Sequence, residues 1–251
     1  MDKEKVNDVN KNSILLKLSM NATAHNDLDM HLYHLLAGDF FLRQSRKIEE
    51  RHLEDPASIK IEEKIKHKAF IVNGIVSIVA SLEATINSFW LLAKTNEENA
   101  YKKLKKHIEK ESTTDSAYFK KIIKNNFALW KYNEAIRLSV SEEKKFPTDS
   151  GIYQEVNNFI KFRDELIHYK FYTDNITEIG SKLAGCLNGK CTLNPFFEGD
   201  YKSLLIIKYL SCDCLRWGYD NCEKLISEFY EKVGLTAQIN VRQGILESSH
   251  F

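Results

Sequence analysis

Proline and net charge are both scarce in this sequence of 251 residues. With only three prolines, most of the chain is free to form long helices, because proline removes a backbone donor and breaks or kinks a helix. Thirty-six lysines and arginines against 35 aspartates and glutamates give a net charge of +1. The whole chain therefore lacks the basic excess of a general nucleic-acid binder, although a local basic surface stays open.

Cysteine is absent from the first two-thirds of the chain, and its number, five, is odd. The amino-terminal MDKEKVNDVNKN is charged and polar, so we expect no signal peptide, a reducing cytoplasmic location and free thiols. Zinc sites usually use cysteine pairs on turns, whereas Cys212 and Cys214 fall on a predicted helix and point apart. We therefore expect no metal site, and small buried thiols at Cys186, Cys191, Cys212, Cys214 and Cys222.

Several catalytic signatures are also missing. The sequence has no glycine-rich phosphate loop, no His-Glu-x-x-His helix and no serine-hydrolase elbow. These absences argue against P-loop nucleotide hydrolysis, zinc proteolysis and serine-hydrolase chemistry. The alternating pattern of strands and internal repeats are absent as well, which leaves helices as the predicted structure.

One apolar run, 69–93, is long enough to span a bilayer of about 30 Å. Glu83 lies near its middle, with Asn73 and Asn87 on either side, and a carboxylate in the centre of a bilayer is costly. Charged, lysine-rich sequence flanks the run on both sides. We therefore predict the central core helix of a soluble bundle and no membrane contact, with a membrane-spanning helix as the minor alternative.

Helical periodicity over most of the chain predicts an all-α, up-and-down bundle. The predicted helices are 25–55, 57–94, 96–110, 118–138, 151–172 and 201–233. The residues assigned to buried faces include Leu35, Leu36 and Phe40 in the first helix, and Phe127 and Trp130 in the fourth. The predicted divisions are a polar arm at 1–24, one helical domain at 25–234 with its core at 57–172 and a carboxy-terminal helical extension at 201–234, and a tail at 235–251.

Local signals predict two of the helix boundaries. Asp55 precedes Pro56, and the residue before a proline avoids helical backbone angles, so the first helix is expected to stop there. The stretch ESTTDSA at 111–117 is rich in capping residues. It is expected to form a loop, with Asp115 or Ser116 as the cap of the next helix.

The predicted helix at 151–172 carries a charged residue on its apolar face. Arg163 lies seven residues after Val156, on the stripe that faces the core, and burying an unpaired guanidinium is costly. His168 follows after a turn of about 140°, so that Arg163 and His168 flank one groove, while Asp164 stacks on His168. The apolar positions of the stripe are Ile152, Val156, Phe159, Ile160, Leu166 and Ile167.

Two elements, RDELIH at 163–168 and SLEATIN at 81–87, resemble motifs of the HEPN superfamily (higher eukaryotes and prokaryotes nucleotide-binding). The first is similar to the family's Arg-x4–6-His motif, in which Asn, Asp or His typically follows the arginine. The second is similar to a Ser-x-Glu-x-x-x-Asn signature on an earlier helix. The matching residues are Arg163, Asp164 and His168, and Ser81, Glu83 and Asn87, and the resemblance covers mainly 57–172.

The resemblance implies a HEPN-type bundle that acts as a metal-independent endoribonuclease with no cofactor. Two motif helices of a homodimer would face each other and form a composite cleft. His168 would exchange a proton with the ribose 2′-OH or the 5′-oxygen leaving group, and Arg163 would hold the scissile phosphate. Asp164 would orient His168, and Glu83 would orient Arg163 across the bundle. Cleavage through the 2′-OH leaves a 2′,3′-cyclic phosphate.

The resemblance also implies a toxin or phage-defence effector, with RNA as substrate and an antitoxin or regulatory protein as partner. Toxins of this family that pair with a nucleotidyltransferase often carry a tyrosine two residues after the histidine, where this chain has Lys170. Tyr169 and Tyr172 lie near that position. We predict RNA contacts at Lys170, Tyr169, Tyr172 and Asn87, while an ordinary lysine-bearing helix end is the alternative for the first three.

Two alternatives stay open. In the first, Arg163 pairs within the bundle and His168 lies near a helix end that favours a cation, so the chain is a non-catalytic HEPN-like module that binds RNA or protein. Cleavage that is lost on replacing either residue, without unfolding, separates this reading from the nuclease. The second concerns the basic run 101–110, which is more often a solvated helix face than an RNA surface.

Overall fold

The computed structural model describes residues 30–95, 99–114, 127–167, 183–197 and 205–235. All regular secondary structure in these ranges is helical, which confirms the all-α class. The helices are α1 (Met30–Glu54), α2 (Ile61–Thr95), α3 (Asn99–Thr114), α4 (Ala128–Ser139), α5 (Gly151–Ile167), α6 (Leu205–Lys208) and α7 (Cys212–Lys232), with 3-10 turns at Pro56–Ser58 and Glu142–Lys144 and a further helical turn at 183–187. The predicted arm at 1–24 and all but the first residue of the predicted tail lie outside the described residues.

The central helix is α2, which contacts α1, α3, α4, α5 and α7. Its core side chains are at most 1 % exposed, among them Ile75, Leu82 and Phe89. Within the described ranges, α2 is the one helix that is long and apolar enough to cross a membrane, and half of its most apolar window is buried inside the bundle. The prediction that 69–93 forms the central core helix is confirmed.

Close approaches at glycine hold α7 between α2 and α5. A Cβ atom at Gly74 of α2 would lie 2.6 Å from Leu215 Cδ2 of α7. A Cβ atom at Gly218 of α7 would lie 2.0 Å from the ring of Phe159 in α5. The helix expected as a carboxy-terminal extension therefore supplies part of the central core, and it fixes the position of α5.

The face of α1 that packs on the bundle differs from the predicted one. Gly38 lies against Ile78 of α2, and Leu35 is buried in the same register. Leu36 and Phe40, which were assigned to the core, are 37 % and 48 % exposed. The close approach at Gly38 sets the rotation of α1, and a step of one residue turns a side chain by about 100°. The prediction of two buried side chains here is wrong for that reason.

The first boundary follows the sequence signal only in part. The helix α1 ends at Glu54, as the Asp55-Pro56 pair predicts. The Asp55 carboxylate then accepts a hydrogen bond from the backbone N–H of Ala57, at 3.1 Å, and caps a 3-10 turn. The predicted start of the second helix at Ala57 is therefore wrong, because α2 begins at Ile61.

The basic helix α3 continues beyond its predicted end. It runs to Thr114 and so includes 111–114 of the expected loop, where no glycine or proline stops a helix. The Lys102, Lys103 and His107 side chains are exposed, which favours the solvated-face interpretation of the basic run. The expected cap at Asp115 or Ser116 lies outside the described residues.

The described part of the helix predicted at 118–138 begins only after Phe127. The backbone of Phe127 has a ψ angle of 89°, and α4 begins at Ala128. Phe127 is 75 % exposed, which corrects its assignment to the core, whereas Trp130 is partly buried against the core. Residues 118–126 lie outside the described part of the chain.

The helix predicted at 201–233 is interrupted. Its described part divides into α6 and α7, because Ser211 is non-helical and caps α7. Ser211 Oγ accepts a hydrogen bond from the Cys214 N–H at 3.1 Å and donates one to the Thr192 carbonyl at 2.7 Å. The second bond joins this corner to a segment far away in sequence, so local periodicity did not indicate the break.

Candidate functional site

The candidate site begins with the position of Arg163 on α5. Phe159 and Phe162 of α5 are fully buried, and Phe159 is held by the close approach of Gly218. This packing turns the Arg163 side of α5 towards α2. The Arg163 side chain is 22 % exposed, so it lies at the edge of the core, as expected from its place on the apolar stripe.

Two carboxylates flank the Arg163 guanidinium. Arg163 Nη2 donates a hydrogen bond to Glu83 Oε1 of α2 at 3.1 Å, so the predicted contact between these residues is present. Arg163 Nε lies 2.9 Å from Asp164 Oδ1 but makes no hydrogen bond of good geometry to a described residue. The Glu83 contact fixes one edge of the guanidinium. Nε is a buried donor whose charge is compensated by the nearby Asp164 carboxylate without a well-formed hydrogen bond.

Lys131 of α4 adds a second cation to the site. Lys131 is 5 % exposed, and its Nζ donates a hydrogen bond to Asn87 Oδ1 of α2 at 2.9 Å. Burial lowers the pKa of Lys131, and the nearby Glu83 carboxylate opposes that shift. Glu83 therefore lies near both cations, and Asn87, an expected RNA contact, is held by Lys131.

Lys131 is not among the residues expected from the sequence, although a signal for it exists. It lies three residues after Ala128 and four before Ala135, and both alanines are buried. That spacing places a lysine on an apolar helical face, which is the same pattern that indicates Arg163. The difference is that no family motif marks α4.

We use the name polar cluster for Glu83, Asn87, Lys131, Arg163 and Asp164. It carries two cations and two carboxylates, and the carboxylate side chains are the more exposed members, at 42 % for Glu83 and 49 % for Asp164. Arginine forms paired hydrogen bonds with phosphate, and lysine binds phosphate as a point charge. The cluster can therefore hold a phosphodiester beside a carboxylate that positions the arginine.

Exposed apolar side chains lie one helical turn from three members of the polar cluster. Leu91 follows Asn87 on α2 and is 50 % exposed, and Ile167 follows Arg163 on α5 and is 47 % exposed. Phe127, the residue just before α4, lies four positions before Lys131 and is 75 % exposed. We call Leu91, Phe127 and Ile167 the apolar rim. Apolar side chains around a polar site are typical of surfaces that bind another molecule.

Four expected site residues follow the last described residue of α5. His168, Tyr169, Lys170 and Tyr172 lie outside the described residues, because the described part of α5 ends at Ile167. The shared groove of Arg163 and His168, and the stacking of Asp164 on His168, therefore stay predictions.

In the described ranges, no three His, Cys, Asp or Glu side chains come together in a cluster that could hold a metal ion. The five cysteines are free thiols, as predicted. Cys212, Cys214 and Cys222 are buried, whereas Cys186 and Cys191 are only half-buried.

Comparison of the chain with protein-family models, with curated proteins and with solved structures gave no match.

Proposed function

We propose that this protein is a metal-independent endoribonuclease of the HEPN type that acts as a homodimer. The observation that carries the proposal is the contact between Glu83 and Arg163, which are 80 residues apart in the sequence. Each belongs to one of the two elements that resemble the family, and two parts of one active site must meet in space. Lys131 and Asn87 enlarge that contact into a cluster with affinity for phosphate.

The proposed reaction is attack of a ribose 2′-OH on the adjacent phosphorus. His168 takes the 2′-OH proton or returns a proton to the 5′-oxygen as it leaves, since imidazole titrates near neutral pH. Arg163 donates hydrogen bonds to the non-bridging oxygens, where negative charge accumulates, and Glu83 holds its guanidinium in place. The products are a 2′,3′-cyclic phosphate and a free 5′-hydroxyl, and the reaction needs no metal or cofactor.

RNA binding is assigned to the surroundings of the polar cluster. Lys131 attracts a phosphate next to the scissile one, and Asn87 offers an amide to a base or a ribose. Lys170, Tyr169 and Tyr172, which follow α5 in the sequence, add a charge and two rings. Single-stranded RNA is the proposed substrate, because its unstacked bases are open to such contacts.

The homodimer is supported by the apolar rim. Three exposed apolar side chains around a charged cluster would be covered if two copies met at this surface, and the cluster would then line a shared cleft. Leu91→Glu is expected to give monomers in light scattering across micromolar concentrations. Leu53→Glu is the control, since Leu53 is 77 % exposed on α1. A wild-type protein that is monomeric throughout this range contradicts the dimer.

RNA cleavage in EDTA tests the proposed chemistry. Wild type, Arg163→Ala and His168→Ala are incubated with total RNA and transfer RNA, and the product ends are mapped. Each variant is expected to lose about 100-fold or more in rate, as on removal of one transition-state hydrogen-bond donor, while wild type gives cyclic-phosphate ends. Lys161→Ala is the matched control, because Lys161 is exposed on the same helix as Arg163.

Two results of this experiment contradict the proposal. If cleavage survives both substitutions, the polar cluster is not the active site. If folded dimeric wild type cleaves no RNA at any time point, the non-catalytic reading replaces the nuclease.

The ion pairs of Arg163 favour that second candidate, a HEPN-like module that binds RNA or protein without cleaving it. Two carboxylates lie beside one guanidinium, as in a cation held for structural reasons. In this case wild type binds RNA or a protein partner, Arg163→Ala weakens binding, and His168→Ala has no effect on RNA ends.

The biological role we propose is that of a cytoplasmic toxin or antiviral effector that is restrained by an antitoxin or regulatory protein. This role rests on the family resemblance alone. Induced expression of wild type is expected to arrest growth and fragment cellular RNA, and Arg163→Ala and His168→Ala are expected to relieve both effects. Growth arrest by both variants contradicts a role that depends on the nuclease.

A further inference from the structure

The segment 188–197 is joined to the beginning of α7 by hydrogen bonds in addition to that of Ser211. The backbone N–H of Thr192 donates to Asp213 Oδ2 at 2.7 Å. The N–H of Asn194 donates to the carbonyl of Lys208, the last residue of α6, at 2.7 Å. Residue 191 is therefore held next to the first turn of α7.

This arrangement brings two thiols together. Cys191 is half-buried on the segment, and Cys214 is fully buried in the first turn of α7. The Ser211 hydroxyl links the carbonyl of Thr192, the residue after Cys191, to the backbone N–H of Cys214. The two cysteines are therefore close in space, which is the first requirement for a disulfide. Tyr209 lies near both sulfur atoms, and Lys190 and Asp213 lie near Cys191.

The two thiols differ in reactivity. The neighbouring Cys214 thiol lowers the pKa of Cys191, burial opposes that shift, and Lys190 and Asp213 act on the pKa in opposite directions. The neighbouring Cys191 thiol and, after it, burial raise the pKa of Cys214 well above its usual value. Because the thiolate is the nucleophile, Cys191 is the thiol that reacts first, and it is also the more accessible one.

We propose that Cys191 and Cys214 form a reversible disulfide when the protein meets a hydroperoxide. The Cys191 thiolate attacks the terminal oxygen of the peroxide, the O–O bond breaks, and an alcohol or water leaves with Cys191 as a sulfenic acid. The Cys214 thiol then attacks Cys191 Sγ, which forms the S–S bond and releases water. Two thiols are oxidised by two electrons, and the peroxide is reduced.

Only two of the five thiols take part, and Cys212, which precedes Cys214 on α7, faces Leu42 of α1 instead. Cys222 is buried, and burial raises its pKa. The disulfide joins the segment 188–197 to α7 covalently, at the place where hydrogen bonds already join them.

The test is to count thiols in the folded full chain before and after treatment with hydrogen peroxide. Wild type is expected to change from five titratable thiols to three under denaturing conditions, with an intact mass lower by about 2 Da and full recovery in dithiothreitol. Peptide mapping is expected to join Cys191 to Cys214. Cys186→Ser is the matched control, because Cys186 is also half-buried, and it is expected to change from four thiols to two.

Cys191→Ser and Cys214→Ser are each expected to form no intramolecular disulfide. A second arm treats wild type with oxidised glutathione, so that an exchange route is measured as well. The proposal is overturned if the thiol count of wild type stays at five, if the mapped disulfide joins other cysteines, or if oxidation gives only covalent dimers.

Discussion

Two contacts of this protein each join a glutamate to a nitrogen-bearing side chain of another helix, and they differ in their surroundings. Glu49 of α1 contacts His67 of α2, with 2.7 Å between Oε1 and Nε2, and the side chains are 16 % and 0 % exposed. The same Oε1 accepts a hydrogen bond from the N–H of Cys212, at the beginning of α7, at 2.7 Å. Glu83 contacts Arg163 at 3.1 Å, with side chains that are 42 % and 22 % exposed.

The difference separates a structural contact from a candidate site. One oxygen of Glu49 joins three helices through short bonds, and its negative charge lies at the positive end of α7. The Glu83 contact is longer and more exposed to solvent, and it lies near the buried Lys131, whose pKa is lowered by burial. Groups that would be costly in a purely structural core are common at functional sites.

The largest effect on stability is expected from Glu49→Ala. This change leaves the buried His67 ring without its partner and removes the acceptor of the Cys212 N–H, so the free energy of unfolding should fall by about 3 kcal/mol. Urea unfolding followed by circular dichroism measures the change. Glu50→Ala is the control, since Glu50 is exposed on the same helix and should stay within about 0.5 kcal/mol of wild type. Equal losses in the free energy of unfolding of both variants would show that the Glu49 contact stabilises the protein no more than an exposed glutamate does.

Lys131→Met is expected to stabilise the protein, whereas Glu49→Ala destabilises it. Methionine is similar in length to lysine but carries no charge. Replacing the buried cation with it should raise the free energy of unfolding by about 1 kcal/mol at neutral pH, while RNA affinity falls. The pKa of Lys131 is lowered from 10.5, so the unfolded chain binds the proton more tightly than the folded one. The gain in the free energy of unfolding of the variant over wild type is therefore fully present below the lowered pKa of Lys131. It is lost as the pH rises from there towards 10.5.

Unfolding curves of wild type and Lys131→Met at neutral pH and near pH 10 check this sign, with Lys161→Met as the exposed control. A variant that is less stable at neutral pH, with unchanged RNA affinity, would place Lys131 among the structural residues.

The smallest effect on stability is expected from Glu83→Gln. Because the contact is partly exposed, the free energy of unfolding should change by less than about 0.5 kcal/mol. The neutral amide holds Arg163 less firmly, so cleavage should fall about 10-fold. Unfolding and single-turnover cleavage are measured on the same preparation. A loss of several kcal/mol would remove the distinction between the two contacts.

The helical periodicity of apolar residues correctly predicts the position of a residue around its own helix. It places Arg163 at the edge of the core and finds α2 as the central helix, and the same pattern in α4 would have found Lys131. The end of α1 at Glu54 is predicted because proline acts locally.

Features that depend on a distant neighbour are not predicted from the sequence. The rotation of α1 follows from the contact of Gly38 with Ile78, and the break before α7 follows from the bond of Ser211 to Thr192. The Glu49 contact has the same origin, since His67 and Cys212 come from other helices. The Glu83 contact was predicted only because a family resemblance joined the two segments.

The most direct measurement determines the stability and the cleavage rate of Arg163→Ala on one sample. If the contact of Glu83 with Arg163 serves a site, the free energy of unfolding changes by less than about 1 kcal/mol, while cleavage falls about 100-fold or more. If the contact is structural, stability falls by several kcal/mol, and any activity falls only with the fraction of folded protein. The second result would contradict the assignment of this surface as the active site.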